Sequence, residues 1–209
     1  MKNKIVNTLI IVGFVALNIY YIYQRKTFES SAYAKLDERE KFWENKVEIS
    51  NELQRLEIKW EHSPMSKQAQ VQQLSNAQIP IQSVFKGSSK LVFCIPEGVC
   101  NVCYDSLYST FNKMATEIGV DNIVILVPND RLREIHTLFS ESVLKDCLYG
   151  ITSKELGFTV QGAYLPYLFI TDSTLYCKNL YLPHKNEQGM TDYYLNTVKE
   201  RYFASLITK

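Results

Sequence analysis

The 209-residue chain predicts an α/β domain built on a mixed sheet, preceded by an apolar amino-terminal segment and a charged helix. Three observations carry that expectation. Residues 79–206 alternate short apolar runs with stretches of helical apolar spacing. Residues 5–23 contain no charged side chain, and residues 28–62 contain no Gly or Pro and place Phe42, Ile49, Leu53, Leu56 and Trp60 on one helical stripe.

The length suits one cored domain with accessories rather than two domains. Lys and Arg number 23 against 22 Asp and Glu, and a net charge of +1 gives no electrostatic reason to expect a nucleic-acid partner. The five cysteines, at 94, 100, 103, 147 and 177, are odd in number. That argues against a disulfide-stapled scaffold and for one reactive pair plus isolated thiols.

Residues 1–26 read as a signal-anchor. After the basic start at Lys2 and Lys4, the uncharged run begins at Ile5 and ends at Tyr23; at 1.5 Å per residue it covers roughly 28 Å, close to a bilayer's hydrocarbon thickness. Tyr20, Tyr21 and Tyr23 fall where an interfacial aromatic belt sits. A cleaved signal peptide is the other reading, but the A-x-A at Ala32 and Ala34 lies well past the run. Arg25, Lys26, Lys35 and Arg39 follow the run, so a positive-inside count favours a cytoplasmic domain, whereas long domains translocate largely regardless of charge.

Residues 27–62 read as a helical stalk. Phe42, Ile49 and Leu56 share one heptad position and Leu53 and Trp60 the complementary one, with Arg39 and Lys46 interrupting the seam. A solvated helix packed on its own domain and a self-associating helix both fit this pattern. Ser63-Pro64 stops the helix, and residues 63–78, rich in Gln and Ser, read as a polar linker.

The domain proper is expected over residues 79–209. Residues 90–95 form a short apolar strand, and residues 103–118 a helix with Leu107, Phe111, Met114 and Ile118 on its apolar face, closed by Gly119. Residues 123–127 are an all-apolar strand, and residues 130–144 read as a second helix. Two strands, 167–171 and 175–182, flank a turn at Asp172-Ser-Thr. Residues 189–206 close the chain as a helix bearing Tyr194, Val198, Tyr202 and Leu206.

Cys100 and Cys103 form a C-x-x-C between the first of these strands and the helix after it. Five scattered cysteines would produce such a pair by chance in about one chain in eight, so its setting carries the weight. A thiol at a helix start faces unsatisfied N–H groups that stabilise the thiolate, which makes Cys100 the candidate nucleophile and Cys103, one turn later, the resolving thiol. A static disulfide is a second reading. Zinc shared with Cys147, Cys177, His136 or His184 is a third, without the second closely spaced ligand pair such sites use. Cys94 and Cys177 lie in strand-like runs, where cysteine serves as a small apolar side chain. No phosphate loop or hydrolase elbow occurs, and the expectation is of no metal and no cofactor.

This order of elements, with Phe93 before Cys100-Asn-Val-Cys103 and Tyr164-Leu-Pro-Tyr-Leu-Phe-Ile-Thr-Asp172 leading the hairpin, resembles the thioredoxin-like fold over about residues 84–203. It looks most like the membrane-anchored thiol-disulfide oxidoreductases of the bacterial cell envelope. The resemblance implies a three-layer α/β/α domain on the extracytoplasmic, periplasmic side of a single-pass anchor, exchanging disulfides with cysteine-containing proteins and recycled by a redox partner. It also implies that Pro166 is cis and, with Leu165, forms the edge that binds a substrate peptide. Three positions depart from the family pattern: Val99 replaces a tryptophan, Asn101-Val102 a Gly-Pro, and Cys94 a buried acid for which Glu97 is a possible substitute. The rival reading is a tethered thioredoxin-like binding module without redox activity.

Overall fold

A computed structural model describes residues 2–99, 105–157, 165–183 and 188–204, without the side chains of 2–11, 105–107, 153 and 188. The chain divides into two compact units, Met1–Glu52 and Leu53–Lys209.

The first unit is the greater part of helix α1 (Lys2–Trp60). Its surface carries i,i+4 pairs, Arg25 with Glu29 at 2.9 Å and Lys41 with Asp37 at 2.8 Å, which support an exposed helix. Of the expected membrane span over residues 5–23, only part lies among the residues whose side chains are described; among the described residues no helix is long and apolar enough to cross a membrane. Residues 5–11 lie outside those whose side chains are described.

In the second unit, seven strands form one mixed sheet in the order β2-β1-β5-β4-β3-β6-β7. They are β1 (Gln70–Gln72), β2 (Gln78–Pro80), β3 (Lys90–Cys94), β4 (Ile123–Val127), β5 (Leu148–Gly150), β6 (Tyr167–Thr171) and β7 (Lys178–Tyr181). β3 runs parallel to β4 and β4 to β5, while β6 pairs antiparallel with both β3 and β7. A βαβ crossover through α3 (Asp105–Ile118), followed by a hairpin on the other side of β3, is the arrangement of the thioredoxin-like fold.

The three central strands are apolar on both sides because both faces are covered. Leu91, Phe93, Ile125 and Ile170 face a core completed by α3, α4 (Leu132–Leu138) and α6 (Gln188–Tyr202). Val92, Cys94, Leu126 and Phe169 face a second core, completed by α2 (Ile81–Val84), α5 (Ser153–Leu156) and Leu53, Leu56 and Trp60 of α1. The sheet thus lies between two helical layers.

Several expectations need correction. The supposed polar linker, 63–78, contains β1 and buries Met65, Ala69 and Val71, because its Gln and Ser side chains alternate with apolar ones that reach the core. The helix expected over 130–144 is cut to α4, since the chain turns at Phe139 and Ser142 caps a 3-10 segment by accepting from Leu144 N. β5 then follows, unforeseen, and brings Gly150 against Asn129. A Cβ there would come within 2.5 Å of the Asn129 Oδ1.

The edge strand β7 is closed by the end of α1. Glu61 Oε1 accepts from Asn179 N at 2.8 Å and its Oε2 from Leu180 N at 2.9 Å, while Glu57 Oε1 accepts from Leu182 N at 2.9 Å. These carboxylates occupy donors that an open edge would leave to other chains. The chain after α1 continues the pairing, with His62 N donating to Cys177 O and Met65 N to Leu175 O, both at 2.7 Å.

Candidate redox site

The chain enters the C-x-x-C from the carboxyl end of β3, a central strand. Ile95 N still donates to Leu126 O at 2.9 Å, so pairing with β4 outlasts the strand by one residue. Pro96 then opens a turn closed by Val99 N to Pro96 O at 3.5 Å. Gly98 sits third in that turn with φ 80°, a backbone state that costs glycine nothing. The turn delivers Val99, which is buried.

One side chain grips this point from across the sheet end. Arg131, in the 3-10 turn Asn129–Arg131 after β4, donates from Nη1 to Val99 O, the carbonyl of the peptide unit shared with Cys100. Its Nε and Nη2 meet Glu134 Oε2 and Oε1 at 3.4 and 3.3 Å. The Arg131 side chain is only 19% exposed, whereas that of Glu134 is 51% exposed.

Cys100 and Cys103 themselves lie outside the described residues. The chain is described again at Asp105, where α3 begins. Phe111 of α3 stacks on Phe93 of β3 with ring centroids 4.7 Å apart, and both are buried. The elements before and after the dithiol are therefore locked by one aromatic pair, worth about 0.5–1.5 kcal/mol beyond its buried area. Lys199 of α6 pairs with Glu117 of α3 at 2.8 Å and fixes the helix from its outer side.

Leu165 is half-buried and Pro166 buried, immediately before β6. β6 pairs Tyr167 with Cys94, and one more step of that register sets Pro166 opposite Ile95. The fold thus brings Pro166 to the strand end from which the C-x-x-C departs. The resemblance implied a cis bond there, yet no peptide bond among the described residues is cis, so Leu165–Pro166 is trans. Trans is the ordinary state of an X-Pro bond, and a proline at the head of a strand needs no other.

The remaining thiols are chemically quiet. Cys94, Cys147 and Cys177 are free and buried. Burial pushes the Cys94 thiol up to about 12, against a smaller lowering by the Tyr167 hydroxyl that donates to it. Cys147 is raised to about 11, by burial and then by Asp146 and Asp121, and Cys177 is raised further by burial and then Glu61. A neutral Cys94 cannot do a carboxylate's work of accepting a proton beside the dithiol. Glu97 is exposed in the turn that leads to Val99. Among the described residues no three His, Cys, Asp or Glu side chains gather as a metal site.

The residue that sequence reading missed is Arg131. It stands 32 positions from Val99, and nothing in the local pattern around Pro128 couples it to the dithiol.

No protein-family model matches the chain, and no curated protein matches it. Solved structures similar to it include a thiol:disulfide interchange protein from Bacteroides sp., at 16% identity and TM-score 0.46, covering 68% of this chain and 88% of that one. The pneumococcal exposed lipoprotein thioredoxin of Streptococcus pneumoniae is 15% identical with TM-score 0.40, over 60% of this chain and 96% of that one. The mitochondrial 2-Cys peroxiredoxin of Plasmodium falciparum is 12% identical with TM-score 0.40, over 67% and 94%. At these levels, the fold assignment rests on the strand order and directions of this chain itself.

Proposed function

We propose that the protein performs thiol–disulfide exchange on cysteines of other proteins, with Cys100 as nucleophile and Cys103 as resolving thiol. The observation that carries this reading is the pair's place in the fold: between the turn at the end of central strand β3 and the start of α3, with Pro166 at the same strand end. In the exchange, the Cys100 thiolate attacks one sulfur of a substrate disulfide, forming a mixed disulfide and releasing the other substrate sulfur as a thiolate. Cys103, as a thiolate, then attacks the Cys100 sulfur and releases the second substrate thiol. Two electrons pass to the substrate, and the protein is left with a Cys100–Cys103 disulfide that a partner dithiol must reduce. Leu165 and Pro166 border the surface on which the substrate peptide rests.

Insulin reduction by the full chain and by Cys100→Ser tests the reading. A rate at least tenfold above the variant supports it, and equal rates remove it. The second reading, a binding module without exchange activity, draws support from Cys94 standing where a proton-accepting acid is expected and from the burial of Pro166.

Membrane tethering through residues 5–23, with the domain outside the cytoplasm, belongs to the same proposal and rests on the uncharged run alone. Alkaline-carbonate washing of membranes holding the full chain, compared with a chain lacking residues 1–26, tests it. Retention of the first and release of the second supports the tether; equal release overturns it. Labelling of Cys100 in intact cells by an impermeant maleimide supports the outward side.

A further inference from the structure

We infer that Arg131 is a positioning residue for the dithiol, its guanidinium holding the Val99 carbonyl that leads into Cys100 and bringing a positive charge within covalent reach of that residue's thiol. This rests on the exchange reading above. Nη1 donates to the Val99 carbonyl, and covalent geometry alone keeps any sulfur on the next residue within about 8 Å of that nitrogen. That is about a Debye length at physiological ionic strength, and the Arg131 side chain is only 19% exposed, so its charge is weakly screened.

The arrangement of the fork bears on its purpose. Two of its nitrogens, Nε and Nη2, face the Glu134 carboxylate while the third faces the carbonyl before Cys100. An arginine is suited to this because its planar group serves two directions at once and stays charged at every working pH. Glu134 both orients the fork and offsets part of its charge, being one helical turn along in α4. The pair therefore acts in opposite senses on a neighbouring thiol: the cation favours the thiolate and the carboxylate opposes it. With Cys94 held as a neutral thiol by burial, Arg131 supplies charge control at a point where no acid is buried among the described residues.

The pH dependence of iodoacetamide alkylation at Cys100, followed by peptide mapping of the full chain, tests this for the wild type, Arg131→Met, Arg131→Lys and Glu134→Gln. The expected midpoint rises by about one pH unit in Arg131→Met, rises less in Arg131→Lys, and falls in Glu134→Gln. A packing role alone does not produce opposite shifts from the two partners. A midpoint unmoved within about 0.3 unit in both Arg131→Met and Glu134→Gln overturns the inference, as does a rise in Glu134→Gln. Glu134→Gln, which changes a half-exposed side chain, keeps the test decisive if Arg131→Met does not fold. The exchange reading fails separately. Equal insulin-reduction rates for wild type and Cys100→Ser, with the midpoints still shifting in these directions, uphold Arg131 while removing the redox function.

Discussion

Glu61→Gln is the sharpest probe of how the end of α1 is fastened to the sheet. The Glu61 carboxylate, 29% exposed, accepts two backbone N–H groups, from Asn179 at 2.8 Å and Leu180 at 2.9 Å. Glutamine keeps one acceptor and turns an NH2 donor toward the other amide. One charge-assisted hydrogen bond is lost and a donor is left facing a donor. Hydrogen bonds to charged groups contribute about 1.5–3 kcal/mol, and the partial exposure places the expected loss near about 2 kcal/mol. For a domain of this size that lowers Tm by roughly 4–8 °C. Urea unfolding followed by circular dichroism measures it directly, with an unchanged m-value showing that only stability moved. Glu57→Gln is the internal contrast. Among the described residues that carboxyl accepts one backbone N–H, from Leu182, and it is pushed above its ordinary 4.5 by burial, then lowered by that bond and raised by Glu61. With its folded value raised, Glu57 contributes stability that is complete below 4.5 and lost as pH rises through the folded value. The glutamine keeps the acceptor without the charge, so at pH 7 it is expected to be neutral or stabilising. A loss under about 0.5 kcal/mol for Glu61→Gln, or equal losses for both variants, refutes the clamp.

Three further outcomes are expected. In native protein at pH 7.5, Cys94, Cys147 and Cys177 react with iodoacetamide at least about a hundredfold more slowly than after unfolding in urea; fast labelling of any of them contradicts the packing around it. Gly157→Ala lowers stability by about 2 kcal/mol in urea titration, since Gly157 has φ 86° and a Cβ there meets the Ser66 amide nitrogen at 2.9 Å. Asp172 is subject to an upward push from burial, outweighed by hydrogen bonds from Lys178 and Thr174 that bring it down from 3.8 to about 2. Its contribution to stability is therefore present above pH 3.8 and lost as pH falls toward 2, and Asp172→Asn flattens the decline of Tm across that window.

How much was legible in the chain follows from physical circumstances at particular residues. β4 was read to its boundaries because all five of its residues are apolar and buried on both faces. β3, β6 and α3 followed for the same reason or from a clear helical stripe. β1 was lost because a single valine flanked by glutamines carries no periodic signal, and its pairing with β2 and β5 is set only in three dimensions. β7 proved shorter than the apolar run suggested, as Leu175 takes a positive φ of 59° ahead of it, while Asn179, with φ 51°, sits inside β7 where its pairing with β6 is irregular. At the candidate site, the C-x-x-C and the nearness of Pro166 follow from local motif and element order. The Arg131 contact to Val99 does not, because it joins two loops that only the parallel pairing of β3 with β4 brings together.

The most direct measurement of the central claim is a redox titration of the full chain in glutathione buffers, with Cys100 and Cys103 trapped by acid and quantified by peptide mass spectrometry. The account predicts that both thiols convert to one intramolecular disulfide in a single two-electron transition. It predicts also that Cys103→Ser accumulates a mixed disulfide at Cys100. Thiols that titrate independently, or a pair that stays fixed in one state at every buffer ratio, contradict it.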